Sequence, residues 1–341
     1  MSGHPIRRKL VPGRTSDPVN PDIEREARRI FKDPQYRAAS EHVISQLSTG
    51  HFAEIARAAD MKLCGRRPAA IIVKDNAATG YFTARCHQRL CPYCQALNAA
   101  EQRMRLLPVV EELWAVDKQL SVLTVSIPLE HGDSPPFAFR LLDNALHVFT
   151  RSTPFKSCVS GWARGMEVPH VSDGFFPFAR FLVEGELWQV AGLLHCWADS
   201  VRLAGGPEPT PQSVNCGELS VAPCSILHQV LACPFKPEDL ATADLAALRD
   251  LQLGMRWRHP IEFCLSWRRC AGELHEEAQR SAQLEDEAEG VRQIGFYKLM
   301  QQSQRLDAKA ILLSLREILE GDDDFREVVA MLRSGSKAGL L

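Results

Sequence analysis

The spacing of apolar residues divides the chain of 341 residues into three parts. In residues 1–60, a coil containing proline and arginine precedes apolar positions that recur every three or four residues, the period of a helix packed on one face. Residues 61–265 mix short apolar runs with amphipathic stretches, whereas residues 266–341 are helical in pattern and rich in acidic side chains. We therefore predict a helical N-terminal arm, a mixed domain and an acidic helical C-terminal region.

The mixed domain contains patterns of both secondary-structure types. Apolar runs predict strands at 121–127, 161–168 and 176–183, and amphipathic stretches predict helices at 96–115, 139–150 and 186–202. Glycine and proline at 205–212 indicate a loop before a further strand. No internal repeat is found. The predicted fold class is α+β, with an antiparallel sheet flanked by helices.

Composition favours a globular cytoplasmic protein. Hydrophobic residues make up 45% of the chain, enough for a sizeable core, and no apolar run approaches the roughly eighteen residues of a membrane span. The basic N-terminal sequence lacks the apolar segment of a secretion signal. We expect a cytoplasmic location, no membrane partner and reduced thiols for the eleven cysteines.

The net charge of -2 conceals an uneven distribution. Residues 1–110 carry 18 Lys and Arg against 10 Asp and Glu, and the remainder is acidic. A basic surface attracts nucleic acid even on an acidic chain, because charges further apart than about 10 Å are screened. The alternative is that these charges are solvated or paired, for instance with Glu101. The candidate DNA contacts are the arginines nearest the cysteines discussed next: Arg85, Arg89, Arg103 and Arg105.

The segment CHQRLCPYC places three cysteines within nine residues. Two cysteines separated by two residues can direct both sulfurs at one ion, and a tetrahedral zinc site needs four ligands. An upstream cysteine can supply the fourth, since Gly65 behind it permits a sharp turn. We predict a structural zinc knuckle whose ligands are Cys64, Cys86, Cys91 and Cys94.

Other roles for these thiols stay open. Four unrelated core cysteines are one alternative, although the neighbouring arginines and proline are unusual beside a buried apolar thiol. Cys91 and Cys94 also fit the C-x-x-C spacing of redox proteins, but the strand of a thioredoxin-type unit does not precede them. His87 is an alternative metal ligand.

The order of motifs around the cysteines resembles the rolling-circle plasmid replication initiators of the Rep type 1 family, which are HUH-endonuclease-like. The shared motifs are Cys64-Gly65, the run Cys86-x-x-Arg89-Leu90-Cys91-Pro92-x-Cys94, the long helix after it, and LTVSIP at 123–128. The resemblance covers about residues 60–265 and is most specific at the cysteines. It implies an HUH Rep-like fold, DNA replication as the process, the plasmid origin as DNA partner, and contacts with host replication proteins.

By the same resemblance, nicking requires a His-x-His pair holding Mg or Mn, an acidic helper and a tyrosine that attacks the phosphate. Gly161 and Glu167 match the strand that carries the acidic helper. The run Phe176-Pro177-Phe178-Ala179-Arg180 stands where the family has its histidines, so neither Phe176 nor Phe178 can bind a metal. Cys233 stands at the tyrosine position, and Lys236 is the one retained lysine. The catalytic residues are therefore unknown, and Mg or Mn is expected only if nicking is retained.

Few other residues are candidates for this chemistry. His170, His195 and His228 are close in sequence to the relevant strands, but isolated histidines are more typical of structural positions. A Cys233 nucleophile would need cationic surroundings that lower its pKa. Tyr297 lies outside the region of resemblance.

Three functions are compatible with these patterns. The expected one is a plasmid replication protein that binds the origin, with divergent or lost nicking activity. The second is a non-catalytic zinc-containing DNA-binding protein in replication or copy-number control. The third is an interaction protein with structural zinc, and it predicts no DNA binding.

Overall fold

The computed structural model describes residues 21–66, 68–128, 134–171, 174–185, 192–210, 213–218, 222–256, 260–288, 292–302, 305–322 and 325–337. Its sheets are antiparallel and the chain is α+β, as predicted. None of the helices in these ranges combines the length and the hydrophobicity that a membrane span requires.

The chain folds into two compact units. The first contains the described residues up to Glu24, Pro68–Thr83 and the described residues from Gln279 onward, and the second contains Arg25–Arg67 and Ala84–Ala278. These bounds differ from the three parts predicted from the apolar pattern, because a hairpin at residues 68–83 pairs with a strand near the C-terminal end of the chain.

The described chain begins with three helices: α1 (Pro21–Lys32), α2 (Pro34–Ser48) and α3 (Phe52–Lys62). Asp33 caps α2 by accepting a hydrogen bond from the Gln35 N–H at 2.9 Å. In α3, Glu54 accepts two hydrogen bonds from Arg249 at 2.7 and 2.9 Å. These bonds with Arg249 lower the pKa of Glu54 to about 2 and fix α3 to α10 (Leu245–Gly254).

The second unit is built on a five-stranded antiparallel sheet. Its order is β8 (Val214–Glu218), β3 (Leu120–Val125), β7 (Phe178–Glu184), β4 (Gly161–Glu167) and β9 (Ile261–Phe263). The strands β3, β4 and β7 confirm the three predicted from apolar runs. A short pair, β5 (His170–Val171) and β6 (Gly174–Phe175), lies between β4 and β7 in the chain.

Helices cover both faces of this sheet. On one face lie α5 (Pro135–Arg151), α6 (Thr153–Cys158) and α7 (Leu193–Leu203), where Phe149 contacts Phe155 and Trp197 with ring centroids 4.8 and 5.4 Å apart. On the other lie α4 (Pro92–Ala115), α8 (Pro223–Val230) and α11 (Leu265–Ala288), which share a core with Ala163 and Leu182. A further helix, α9 (Pro237–Thr242), packs against α2. The helices predicted at 96–115 and 139–150 are confirmed. The third predicted helix, at 186–202, begins in residues 186–191, which lie outside the described residues, and its remainder is helical from Leu193.

The first unit has its own sheet and core. The hairpin of β1 (Pro68–Lys74) and β2 (Ala77–Thr83) turns at Asp75 and Asn76, whose φ values of 50 and 61° suit a tight hairpin turn. Strand β10 (Arg292–Gly295) pairs with β1. The unit also contains α12 (Phe296–Gln301), α13 (Leu306–Leu319) and α14 (Arg326–Lys337), and its core includes Ile71, Tyr81 and Leu312. The C-terminal region is therefore largely helical, but strand β10 was not predicted.

Gly165 in β4 allows α8 to lie directly on the sheet. A Cβ atom at this position would lie 1.9 Å from the carbonyl oxygen of Val230, whereas a Cβ at Gly217 in β8 would meet nothing within 4 Å. We expect Gly165→Ala to lower the free energy of unfolding by about 1–3 kcal/mol, because the backbone of α8 has to shift. The matched Gly217→Ala variant should change it by less than about 0.5 kcal/mol. Equal effects in urea unfolding would contradict the close approach of α8.

Candidate metal centre and surrounding residues

Four cysteine side chains converge at the N-terminal end of α4. Cys91 caps the helix and Cys94 lies in its first turn, while Cys64 follows α3 and Cys86 follows β2. The Sγ atom of Cys94 lies 3.4 Å from that of Cys64 and 3.7 Å from that of Cys86, and the Cys64–Cys91 distance is 3.7 Å. All four sulfurs lie within 4.8 Å of one another. The predicted cysteine cluster is therefore confirmed as a group that can hold a metal ion.

The sulfur–sulfur distances fit tetrahedral coordination. A zinc ion bound by four thiolates at about 2.3 Å separates its sulfurs by about 3.8 Å. A disulfide bond would require about 2.05 Å, so the thiols are free. The geometry suits a small four-coordinate cation and leaves no ligand position for a substrate.

Two residues with positive φ shape the loops of the cluster. Gly65 has φ +72°, which confirms the sharp turn predicted behind Cys64, and a Cβ atom there would lie 2.6 Å from the Phe31 ring. His87 has φ 52°, and its backbone lowers the pKa of the Cys94 thiol. The His87 side chain is exposed, and the group of potential ligands found among the described residues contains cysteines alone. His87 therefore contributes through its backbone.

The surroundings favour a thiolate at Cys94. Cys64, Cys91 and Cys94 are buried, and the last two lie at the positive end of the α4 dipole. The pKa of Cys94 lies well below its usual value because its sulfur accepts hydrogen bonds, first from Cys64 and then from the other two thiols. The pKa of Cys91 is raised, first by its hydrogen bond with Cys64. A cation at the centre would displace the remaining thiol protons, since thiolates and not thiols are the ligands.

Glu167 and Arg180 meet on the face of the sheet that α8 covers. The Arg180 Nη1 atom lies 3.0 Å from the Glu167 Oε1 atom, but its N–H is not directed at that oxygen, so the contact is ionic without being a hydrogen bond. Phe178 is the register partner of Glu167, and its ring centroid lies 5.5 Å from the Arg180 guanidinium carbon. Burial raises the pKa of Glu167, while Arg180 and then Lys236 oppose that shift. Two cations therefore lie near this carboxylate.

The other two positions that the resemblance assigns, Phe176 and Cys233, lie in segments that border the chain just after β4. Phe176 precedes β7 and its N–H donates to the Pro169 carbonyl at 3.2 Å. The chain near Cys233 runs beside the end of β4, because the Val168 N–H donates to the Pro234 carbonyl at 2.6 Å. Burial raises the pKa of Cys233 to about 12, so the thiol is protonated at neutral pH and is a poor nucleophile.

The three candidate histidines occupy separate places. His170 stacks on Phe175 with ring centroids 4.7 Å apart, and its Nδ1 lies 3.4 Å from the Thr242 hydroxyl. His195 in α7 and His228 in α8 are exposed. In the described part of the chain none of the three joins a group of potential metal ligands. The side chain of Tyr297 lies outside the described residues.

The four predicted DNA contacts have different surroundings. Arg85 forms an ion pair with Glu101, which confirms for this residue the alternative that its charge is paired within the protein. Arg103 donates to the Leu231 carbonyl at 2.9 Å and lines a cavity. Arg89 has a partner of its own, and Arg105 is exposed.

The structure adds two exposed cations, Lys62 and Arg66, on either side of Cys64 in the sequence. Their closeness to a predicted ligand was the one signal in the sequence that could have identified them.

Comparisons of the chain with models of protein families, with curated proteins and with solved structures find no match. Its own fold and site define it as an α+β protein with a four-cysteine group that can hold a metal ion.

Proposed function

We propose that the protein binds DNA at a plasmid replication origin, as rolling-circle initiators do, and holds a structural zinc ion. The observation that carries this proposal is the four-thiol cluster at the start of α4, with the cysteine order of those initiators. Four thiolates complete the coordination of zinc, so the ion stabilises the fold and has no open position for catalysis.

The centre of the sheet supports DNA binding without nicking. The resemblance assigns the metal-binding histidines to residues 176–180, where β7 begins, but Phe176 and Phe178 offer no lone pair. A guanidinium, that of Arg180, supplies the positive charge beside Glu167. A divalent ion there would face repulsion from Arg180 and would lack nitrogen ligands. This observation favours the second candidate as well, a non-catalytic DNA-binding protein that controls copy number.

Exposed cations provide the proposed DNA contacts. Lys62 and Arg66 flank a ligand of the cluster, and Arg105 is exposed on α4. Cations that neutralise backbone phosphates release condensed counterions, so binding weakens steeply as salt increases. Arg85 is already neutralised by Glu101 and should contribute less.

We expect Arg66→Ala and Arg105→Ala each to reduce the slope of log affinity against log salt by about 0.9 on duplex DNA, or by about 0.7 on single strands. Fluorescence anisotropy across a NaCl titration measures this slope. Arg202→Ala is the matched control, because Arg202 lies on α7 and already pairs with Asp199 at 2.9 Å. Affinity independent of salt, or no affinity, would favour an interaction protein with structural zinc.

A further inference from the structure

A cavity of about 210 Å³ lies within the second unit. Helices α1, α2, α4 and α8 and the chain just after α8 form its walls. Ile30, Ala96 and Ala232 give it apolar surface, and the polar side chains that face it are Glu26, Arg29, Asp33, Tyr36, Arg103, His228 and Cys233. No sequence pattern indicates this grouping, because its members come from three segments that lie far apart in the chain.

Most charges in the cavity are already compensated. Arg29 donates to both carboxylate oxygens of Glu26, at 2.7 and 2.8 Å. The carboxylate of Asp33 caps α2, where the positive end of the helix offsets its charge. Glu26 and Asp33 bring two negative charges and Arg29 one positive charge, so the helix end offsets only part of the remaining negative charge.

Arg103 is the exception. Its Nη1 donates to the neutral carbonyl oxygen of Leu231, and it makes no ion pair with a carboxylate in the part of the chain that the structure describes. Burial lowers the pKa of Arg103, and the Glu26 carboxylate offsets this effect only in part, because Glu26 is already bound by Arg29. An anion in the cavity would give Arg103 a direct partner.

Two neutral donors accompany this cation. Burial raises the pKa of Tyr36 and of Cys233, so that both keep their protons at neutral pH. Protein atoms enclose the Cys233 thiol, yet it remains accessible from the cavity. The cavity therefore combines an O–H, an S–H and the unused N–H groups of a planar guanidinium, which matches the oxygens of a phosphate.

We propose that this cavity binds a phosphomonoester group, anchored by Arg103 and oriented by the Tyr36 hydroxyl and the Cys233 thiol. A phosphate presents three acceptor oxygens to these donors, one more than a carboxylate. The group can belong to a free nucleotide or to the 5′ end of a single DNA strand, since both offer the same chemistry. The site goes beyond the proposed function, because it does not require the chain to recognise an origin.

Isothermal titration calorimetry of the full chain tests the site with inorganic phosphate, with dTMP and with one oligonucleotide made with and without a 5′-phosphate. We expect Arg103→Met to weaken binding of dTMP at least about tenfold, since a charge-assisted hydrogen bond is lost. Tyr36→Phe should weaken it less, and Arg202→Met should leave it within about twofold of the parent protein.

The ligands distinguish the two sources of the group. Binding of dTMP as tight as that of the phosphorylated strand indicates a nucleotide site, and preference for the phosphorylated strand indicates a DNA end. The proposed site would be wrong if inorganic phosphate and dTMP did not bind and if the 5′-phosphate did not increase the affinity of the oligonucleotide. This holds even if origin DNA still binds. Unchanged binding by a folded Arg103→Met variant would also overturn it.

A measurement on the unaltered chain covers the case in which Arg103→Met does not fold. Cys233 is labelled with a small thiol reagent, and its modification is followed by mass spectrometry with and without saturating dTMP. We expect the ligand to slow labelling of Cys233 and to leave the exposed Cys224 of α8 unaffected. Equal labelling rates of Cys233 in both conditions would overturn the proposal.

Discussion

Replacement of Cys91 by serine is expected to release the metal ion and to destabilise the second unit. Cys91 is fully buried and caps α4, so it links the ion to the helix that supports the cluster. In zinc-finger peptides, metal binding supplies on the order of 10 kcal/mol of coupled folding energy, and a serine hydroxyl is a weak substitute for thiolate. The parent protein should contain about one zinc per chain by elemental analysis. The variant should lose the zinc and melt at least about 20 °C lower, since each kcal/mol shifts the melting temperature of a domain of this size by about 2–4 °C.

Two control variants separate coordination from other effects. Cys224→Ser changes an exposed thiol outside the cluster, and it should keep the metal and the melting temperature. His87→Gly removes the imidazole while permitting the positive φ, and it should also keep the metal. A well-folded parent protein without metal, or a Cys91→Ser variant that retains both metal and stability, would contradict the zinc site.

Supercoiled plasmid carrying the cognate origin is expected to remain intact when incubated with the protein and Mn²⁺. Phe178 cannot bind a metal, and Arg180 places a positive charge beside Glu167. Metal polarisation of a phosphate contributes several kcal/mol to such reactions, so its loss should slow nicking by at least about a thousandfold. Gel electrophoresis of the plasmid and a search for a protein-linked 5′ end measure this directly.

Cys233 provides the control for this experiment. Because its raised pKa keeps the thiol protonated, Cys233→Ser should leave the result unchanged. Nicking by the parent protein with a covalent tyrosine link would restore the active-initiator interpretation. Nicking that disappears in Cys233→Ser would instead identify a thiol nucleophile.

The cysteine cluster and the central strands were predictable because their signals are local. Cys86, Cys91 and Cys94 lie within nine residues, and Gly65 indicated the turn that the structure shows at φ +72°. Strands β3, β4 and β7 coincide with segments rich enough in apolar residues to identify. The zinc ion itself, the HUH Rep-like fold and the DNA partner stay predictions.

The remaining features depend on contacts between distant residues. Strand β10 is short and largely polar, and only its pairing with β1, more than two hundred residues earlier, defines it as a strand. The ion pair between Glu167 and Arg180 depends on the register of β4 and β7. Arg103 was expected on a DNA-binding surface, but its hydrogen bond with Leu231 turns it toward the cavity.

Origin recognition is tested most directly by selecting DNA fragments from the replicon that encodes the chain. The purified zinc-containing protein is mixed with the sheared replicon, and the bound fragments are recovered and sequenced. We predict strong enrichment of one origin segment by the parent protein, and loss of that enrichment in Cys91→Ser. Recovery of no fragments, or of all fragments equally, would contradict the proposal that this protein binds a replication origin.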